Sequence, residues 1–188
     1  MYKYLFITLL IFAIFSCNSK KTEQELIYEA YREAKFGMTM EEVLKLSFCK
    51  DCTILKKEIL INERYSKIGS HNYSIWLQFR NNILYKVVFE SNTKPFKDIK
   101  KDLENLKKYI DKDYKEPHIA DLYEKETYSP RVLVYGWKFD YKMIHIDIIR
   151  ANQWSNYYRA ALYIRSLSPE EMQQSEASKT TKEETSEL

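Results

Sequence analysis

From Tyr73 to Phe89 the chain reads YSIWLQFRNNILYKVVF, and this stretch constrains the fold more than any other. Tyr73, Ile75, Leu77 and Phe79 alternate with Ser74, Trp76, Gln78 and Arg80, the period of two that a half-buried strand imposes because successive side chains leave opposite faces. Asn81-Asn82 supplies the turn, and Tyr85, Val87 and Phe89 continue an apolar face on the return strand. A strict two-residue loop would set Leu77 against Lys86. One added residue instead pairs Phe79 with Tyr85, Leu77 with Val87 and Ile75 with Phe89. A one-residue slip exchanges the faces, so we expect a three-residue loop or a bulge.

Around this hairpin the pattern predicts further elements. Thr22-x-x-Glu25 reads as a capping box, and Ile27, Ala30, Tyr31 and Ala34 follow at helical spacing until Gly37. Thr39-x-x-Glu42 opens a second short helix with Val43, Leu44 and Leu46, so the two should form a helix hairpin. Glu58 to Tyr65 is expected as a strand, and Lys67 to Asn72, with Gly69, as a loop. From Pro95, Phe96, Ile99, Leu103, Leu106 and Ile110 fall in one stripe with charges elsewhere, the mark of a helix laid across a sheet. Leu133, Tyr135, Trp137 and Phe139 line one face of a later strand, Ile144, Ile146 and Ile148 a second, and Tyr158, Ala160, Leu162 and Ile164 a third.

Composition narrows the class of protein. Sixteen tyrosines and nine phenylalanines stand against three glycines, which suits aromatic-rich strands and leaves no glycine-rich nucleotide loop. The lysines of 94–115 alternate with Asp98, Asp102, Glu104, Asp111 and Asp113, so they mark a solvated helix face and no nucleic-acid partner is expected. Ser168 to Leu188 has no aromatic residue and should be disordered, because it cannot bury enough apolar surface to offset its ordering entropy.

The amino terminus speaks to location. Lys3 precedes an apolar run from Leu5 to Phe15, too short for the roughly 30 Å hydrocarbon core of a bilayer but suited to a secretory signal peptide. Its end, Ile14-Phe15-Ser16-Cys17, resembles the lipobox of bacterial lipoprotein signal peptides. The resemblance implies cleavage before Cys17 and acylation of that cysteine, so residues 1–16 are the signal peptide and 17–21 a lipidated tether. Removing 1–16 takes only Lys3 from a formal charge of +3, leaving +2. The expected place is the bacterial cell envelope, lipid-anchored at the outer membrane and facing the periplasm or the surface; Asn18 is not an inner-membrane retention signal of the Asp type. Cys17 thereby accounts for the odd cysteine of three, and Cys49 and Cys52 are left as a pair in an oxidising compartment. We read them as a local disulfide. The thioredoxin arrangement would need the C-x-x-C between a strand and the helix that follows, and a zinc site would need two more ligands.

Phe36-Gly37-Met38-Thr39-Met40-Glu41-Glu42-Val43 resembles the G-M-[ST]-x-x-[EQ]-V corner of small envelope lipoproteins of the SmpA/OmlA type and of β-lactamase-inhibitor-like proteins. That resemblance implies a helix hairpin packed on an antiparallel sheet and work done by binding other proteins. The expected fold is therefore α+β, a single domain over 22–167 with an N-terminal helix hairpin and one central amphipathic helix on about six antiparallel strands. It divides into two related halves, 22–91 and 92–167; a nuclear-transport-factor-2-like cone is the alternative arrangement.

Catalytic sets are scarce. His145 and Asp147 share one face of a strand opposite Ile144, Ile146 and Ile148 and read as a polar outer face, so no metal and no cofactor are expected. The residues singled out for binding are Trp76, which leaves the face opposite Ile75 and Leu77, and Trp154, Tyr157 and Tyr158 around the turn after Arg150. Aromatic and arginine side chains tend to dominate protein contacts. The expected function is a non-catalytic protein-binding or scaffolding lipoprotein, in one variant an inhibitor or immunity-like protein, with a lipid bilayer and another envelope protein as partners. The alternative is a thiol-redox or other envelope enzyme using Cys49 and Cys52.

Overall fold

The computed structural model describes residues 26, 28–62, 66–120, 130–168 and 171. Its centre is a nine-stranded antiparallel sheet. The strands are β3 (Thr53–Leu55), β4 (Glu58–Leu60), β7 (Ser74–Arg80), β8 (Ile83–Glu90), β9 (Lys94–Pro95), β10 (Ile119–Ala120), β11 (Arg131–Lys138), β12 (Lys142–Arg150) and β13 (Tyr157–Ser166). Their order is β10-β11-β12-β13-β8-β7-β4-β3, with β9 added on β13. Two antiparallel meanders, one from each half of the sequence, are thus joined into one sheet by the β13–β8 pair. Two small ribbons flank it, β1 (Glu29–Tyr31) with β2 (Ala34–Lys35) and β5 (Lys67–Ile68) with β6 (His71–Asn72).

The β7–β8 register resolves the question posed by the sequence. Leu77 pairs with Val87 and Ile75 with Phe89 as expected, but Phe79 meets Leu84 rather than Tyr85. Asn81 and Asn82 form a two-residue loop, both at positive φ, a conformation Asn tolerates better than most residues. The register shift falls between Gln78 and Phe79. A bulge therefore supplies the extra residue and keeps both apolar faces inward.

One face of this sheet is the core. Ile75, Leu77, Val87, Phe89, Ile144, Ile146, Ala160 and Leu162 are fully buried there. Helix α2 (Phe96–Ile110) lies across β12 and β13 and contributes Ile99, Leu103, Leu106 and Ile110. Pro95 fixes its start, Asp98 sits in its first turn and Lys107 and Lys108 in its last, each complementing the helix dipole. Of the stripe read from the sequence these four are buried and Phe96 is partly so, while Asp102, expected on the solvated face, is buried with them.

The expected helix hairpin is not formed, and with it the α+β expectation fails. The described residues are mostly antiparallel sheet, and α2 is the only helix among them of seven residues or more. Helix α1 (Met40–Leu44) is a single turn, opened by the capping box of Thr39 and Glu42 and followed by a 3-10 turn, Ser47–Cys49. Where 29–35 should have been helical, Arg32 turns at φ 52° and the chain doubles back as β1–β2. Ala30, Tyr31 and Ala34 are buried as helical spacing implied, yet it is a ribbon that buries them: Tyr31 packs edge-on against both Phe48 and Phe89. Tertiary packing has overridden a weak local propensity. The Thr22 capping box and Ile27 lie outside the described residues. The cone alternative fails with the hairpin, since it too needs several long helices.

A second correction concerns β11. A bulge between Leu133 and Tyr135 changes the parity, so that Leu133 pairs with Asp147 whereas Tyr135 pairs with Ile146 and Trp137 with Ile144. Leu133 therefore stands on the opposite face from Trp137. Of the strand expected over 58–65, Glu58–Leu60 is formed, 61 and 62 are not strand, and 63–65 lie outside the described residues; the loop expected over 67–72 is the β5–β6 hairpin, turned by Gly69 at φ 60°.

Candidate functional site on the polar face of the sheet

The face away from α2 alternates with the core face, residue by residue. Register lines its side chains into rows across five strands. Leu60, Trp76, Val88, Tyr163 and His145 form one row; Glu58, Gln78, Lys86, Arg165 and Met143 form the next; Ser74, Glu90, Ala161, Asp147 and Leu133 form a third. Between the first two rows lies a cleft of about 350 Å³ lined by Glu58, Trp76, Gln78, Lys86, Val88, Glu90, Arg131 and Tyr163. It gathers aromatic rings, two cations and two carboxylates within one patch.

Most of these charges are already committed. Arg131 forms an ion pair through Nε and Nη2 with Asp147, whose carboxylate is buried. Arg159 reaches Glu90 at 3.4 Å, and Gln78 Nε2 donates to Glu58 at 2.6 Å. Arg165 pairs with Glu171 at 2.8 Å, and Glu171 in turn accepts from the Ser168 backbone N–H while donating its own N–H to Ser168 Oγ. The hydrogen bonds to Arg165 and Ser168 hold the Glu171 carboxyl down at about 2. Of the segment expected to be disordered only Ser168 and Glu171 are described, and Glu171 is tied to Arg165 of β13; the rest lies outside the described residues. Tyr163 stands between two cations, with Lys86 Nζ 4.9 Å and Arg131 Cζ 4.5 Å from its ring centroid, an arrangement favoured by the ring quadrupole.

Titration on this face runs in two directions. Burial pushes the Asp147 carboxyl up, opposed by Arg131. Burial pulls the His145 imidazole down, helped by Arg131 and Arg165 and opposed by Asp147. For His145 the unfolded chain takes up its proton first as pH falls below about 6.5, so this residue's contribution to stability is complete above that value and lost through its lower folded pKa. For Asp147 the folded chain protonates first, so stability is regained as pH falls through the raised pKa. We therefore expect urea denaturation at pH 7.5 and 5.5 to show a smaller acid loss in His145→Gln than in the parent. Equal losses in the two proteins would show that His145 does not carry that slope.

The four expected binding aromatics separate. Tyr157 and Trp154 are 52% and 86% exposed, whereas Tyr158 is 0% exposed. Period two explains the split. Tyr157 belongs to the outer file of β13 with Arg159, Ala161, Tyr163 and Arg165, while Tyr158 faces the core and packs edge-on against Phe96. Tyr158 is thus corrected from binding residue to core residue. Trp76 lines the cleft, and Trp154 stands in the β12–β13 turn, where its backbone N–H is held by Asn152 Oδ1 at 3.0 Å.

No family model, no curated protein and no solved structure matches the chain. Function therefore rests on the residues themselves.

Two other polar groups fall outside this face. Asp102 of α2, fully buried, lies 2.8 Å from both His71 Nδ1 and Lys94 Nζ, and Asn105 donates to Ile68 O and Tyr73 Oη nearby. This network ties the β5–β6 hairpin to the helix. Cys49 and Cys52 lie at disulfide distance, with Cα atoms 4.9 Å apart, in the corner between the 3-10 turn and β3. Cys49 is buried, and the turn it closes leads into a strand rather than a helix. No group of three His, Cys, Asp or Glu side chains is placed to hold a metal among the described residues, and no described helix is long and apolar enough to cross a membrane. The sequence had singled out Trp76 but neither Lys86, Arg131, Tyr163 nor Glu90; the alternate positions of Lys86 and Glu90 in β8 and of Tyr163 in β13 were the available signal, and Arg131 at the start of β11 had none.

Proposed function

We propose that this chain is a lipid-anchored envelope protein that binds another protein through the polar face of its sheet and the β12–β13 turn, without catalysing a reaction. The observation that carries the reading is Trp154, 86% exposed, beside Tyr157 at the end of a cation- and aromatic-rich sheet face. A solvated tryptophan on a fixed turn loses little conformational entropy on contact and brings a large apolar area, which is why Trp and Tyr anchor interfaces. Geometry supports the same end as the partner-facing one. Lys142 at the start of β12 binds the backbone of Leu26 and Glu29, where the chain joins the described structure. Trp154 follows the other end of that strand, about 26 Å away at the usual rise per residue. Anchoring through Cys17 is carried by the lipobox resemblance. The likeness to small envelope binding lipoproteins rests on the sequence of the corner Phe36 to Val43 alone, since the helix before it is replaced by the β1–β2 ribbon.

The test is photocrosslinking in the native membrane from a photoreactive residue at position 154 or 157. A single recurrent protein adduct is expected, and Trp154→Ala, read in crosslinking from 157, should weaken its capture by about tenfold or more. Adducts only with lipid, or only with lipid-processing and sorting proteins, would overturn the reading.

A further inference from the structure

We infer that Lys86 is a binding position for a carboxylate, presented by an acidic side chain of the protein partner; this rests on the binding function proposed above. Three other cations on the polar face have their own carboxylate: Arg131 has Asp147, Arg159 has Glu90 and Arg165 has Glu171, while Arg80, exposed at the end of β7, rests on the Tyr85 ring. Lys86 has none within ion-pair distance among the described residues; its contact is the face of the Tyr163 ring. The carboxylates that line the clefts with it are engaged elsewhere, Glu58 by Gln78, Glu90 by Arg159 and Glu171 by Arg165. Lys86 is half-buried and sits between two clefts, the one floored by Trp76 and Tyr163 and a second of about 510 Å³ toward Arg80 and Glu171.

An ammonium placed this way is short of a counter-charge. It has lost part of its hydration, and Arg131 and Arg165 crowd it with like charge. Burial, then these two guanidiniums, draw its pKa below the ordinary lysine value, against the opposing pull of Glu58 and Glu90. The other titratable groups facing this region are His145 and Asp147 on β12, Tyr163 on β13, and Arg80, Tyr85 and Glu171 around the second cleft. An arriving carboxylate relieves both penalties at once, because it supplies the missing partner in a partly desolvated place where the attraction is less screened than at the open surface. Trp76 beside it gives the partner's neighbouring apolar group a surface to cover.

The experiment is an NMR titration of the intact domain, following the 13Cε resonance of Lys86, assigned by its disappearance in Lys86→Gln. Sodium acetate is the carboxylate probe, inorganic phosphate the comparator and sodium chloride, at matched ionic strength, the control. Acetate should move the Lys86 signal saturably, with a midpoint on the order of 10 mM for one partly desolvated charge pair. It should also raise the Lys86 pKa, leaving the lysines of α2 unmoved. A response to chloride as large as that to acetate, saturation by phosphate alone, or no saturable shift would each overturn the site. Those outcomes leave the crosslinking result at Trp154 standing, so failure of this inference and failure of the binding function are told apart. In the crosslinking assay Lys86→Glu should reduce capture of the partner at least as much as Lys86→Gln.

Discussion

Lys142→Ala should lower the melting temperature by about 10 °C, the consequence of losing about 3 kcal/mol in a domain of this size. The side chain is completely buried. Its ammonium donates to the backbone carbonyls of Leu26 and Glu29, the latter at 2.7 Å, and to Tyr114 Oη at 2.9 Å, and it lies 5.6 Å from the Phe36 ring centroid. Truncation leaves those acceptors without this donor in a place water does not reach freely, and it opens a cavity the length of the lysine stem. The loss has an address. Phe36 N–H donates to Tyr28 O and Gly37 N–H to Leu84 O, so hydrogen exchange at these amides should accelerate before exchange in β12 or β13. Lys142→Met keeps the stem's volume and removes only the donors, so it should recover part of the stability and none of the protection at Phe36. A melting temperature unchanged in Lys142→Ala would show that the ribbon is held by Tyr31 and Ala34 alone.

Lys142 also marks how far this fold could be read from its sequence. The alternation in β7, β8, β12 and β13 and the stripe of α2 were legible because each has one buried face, and burial of one face writes a period into the chain. The segment 29–35 was not legible. Ala30, Tyr31 and Ala34 satisfy helical spacing, and a two-stranded ribbon with a left-handed Arg32 buries the same three side chains. What decides between them is Phe48 and Phe89 pressing on Tyr31, and those contacts join residues far apart in the chain. The β11 bulge was hidden for a similar reason: both parities of that strand carry apolar residues, so pattern alone gives no break at Leu133.

The polar face was half legible. Parity alone sent Trp76, His145 and Asp147 to the outer side, and register does the same. Which of the charges there are spoken for is a property of cross-strand neighbours. Arg131 and Asp147 are brought together by the β11–β12 pair, Glu90 and Arg159 across the β8–β13 pair, and only after those pairings does Lys86 stand out as a half-buried cation without a carboxylate. Tyr158 failed as a binding residue by one position in a file of alternating faces, its neighbour Tyr157 being the exposed one.

Cys17→Ser should abolish incorporation of a clickable palmitate analogue into the protein and move its mature form from the membrane pellet to the soluble fraction. The size of the expected change follows from the anchor's chemistry. Each acyl chain contributes about 0.8 kcal/mol per buried CH₂, and one chain alone gives only reversible attachment, whereas two or more hold the protein to the bilayer effectively permanently. If the anchor proposed above is the attachment, removing the thiol that would carry it removes that attachment. Mass spectrometry of the parent should place its amino terminus at residue 17 with the acyl mass added. Cys49→Ala with Cys52→Ala serves as the comparison, since those sulfurs lie at disulfide distance from each other at the corner before β3 and their removal should leave labelling untouched. Label that persists in Cys17→Ser, or a mature terminus at another residue, would remove the lipid anchor from the proposed function. The polar face and Trp154 would then have to find their partner from solution rather than from a fixed place on a membrane.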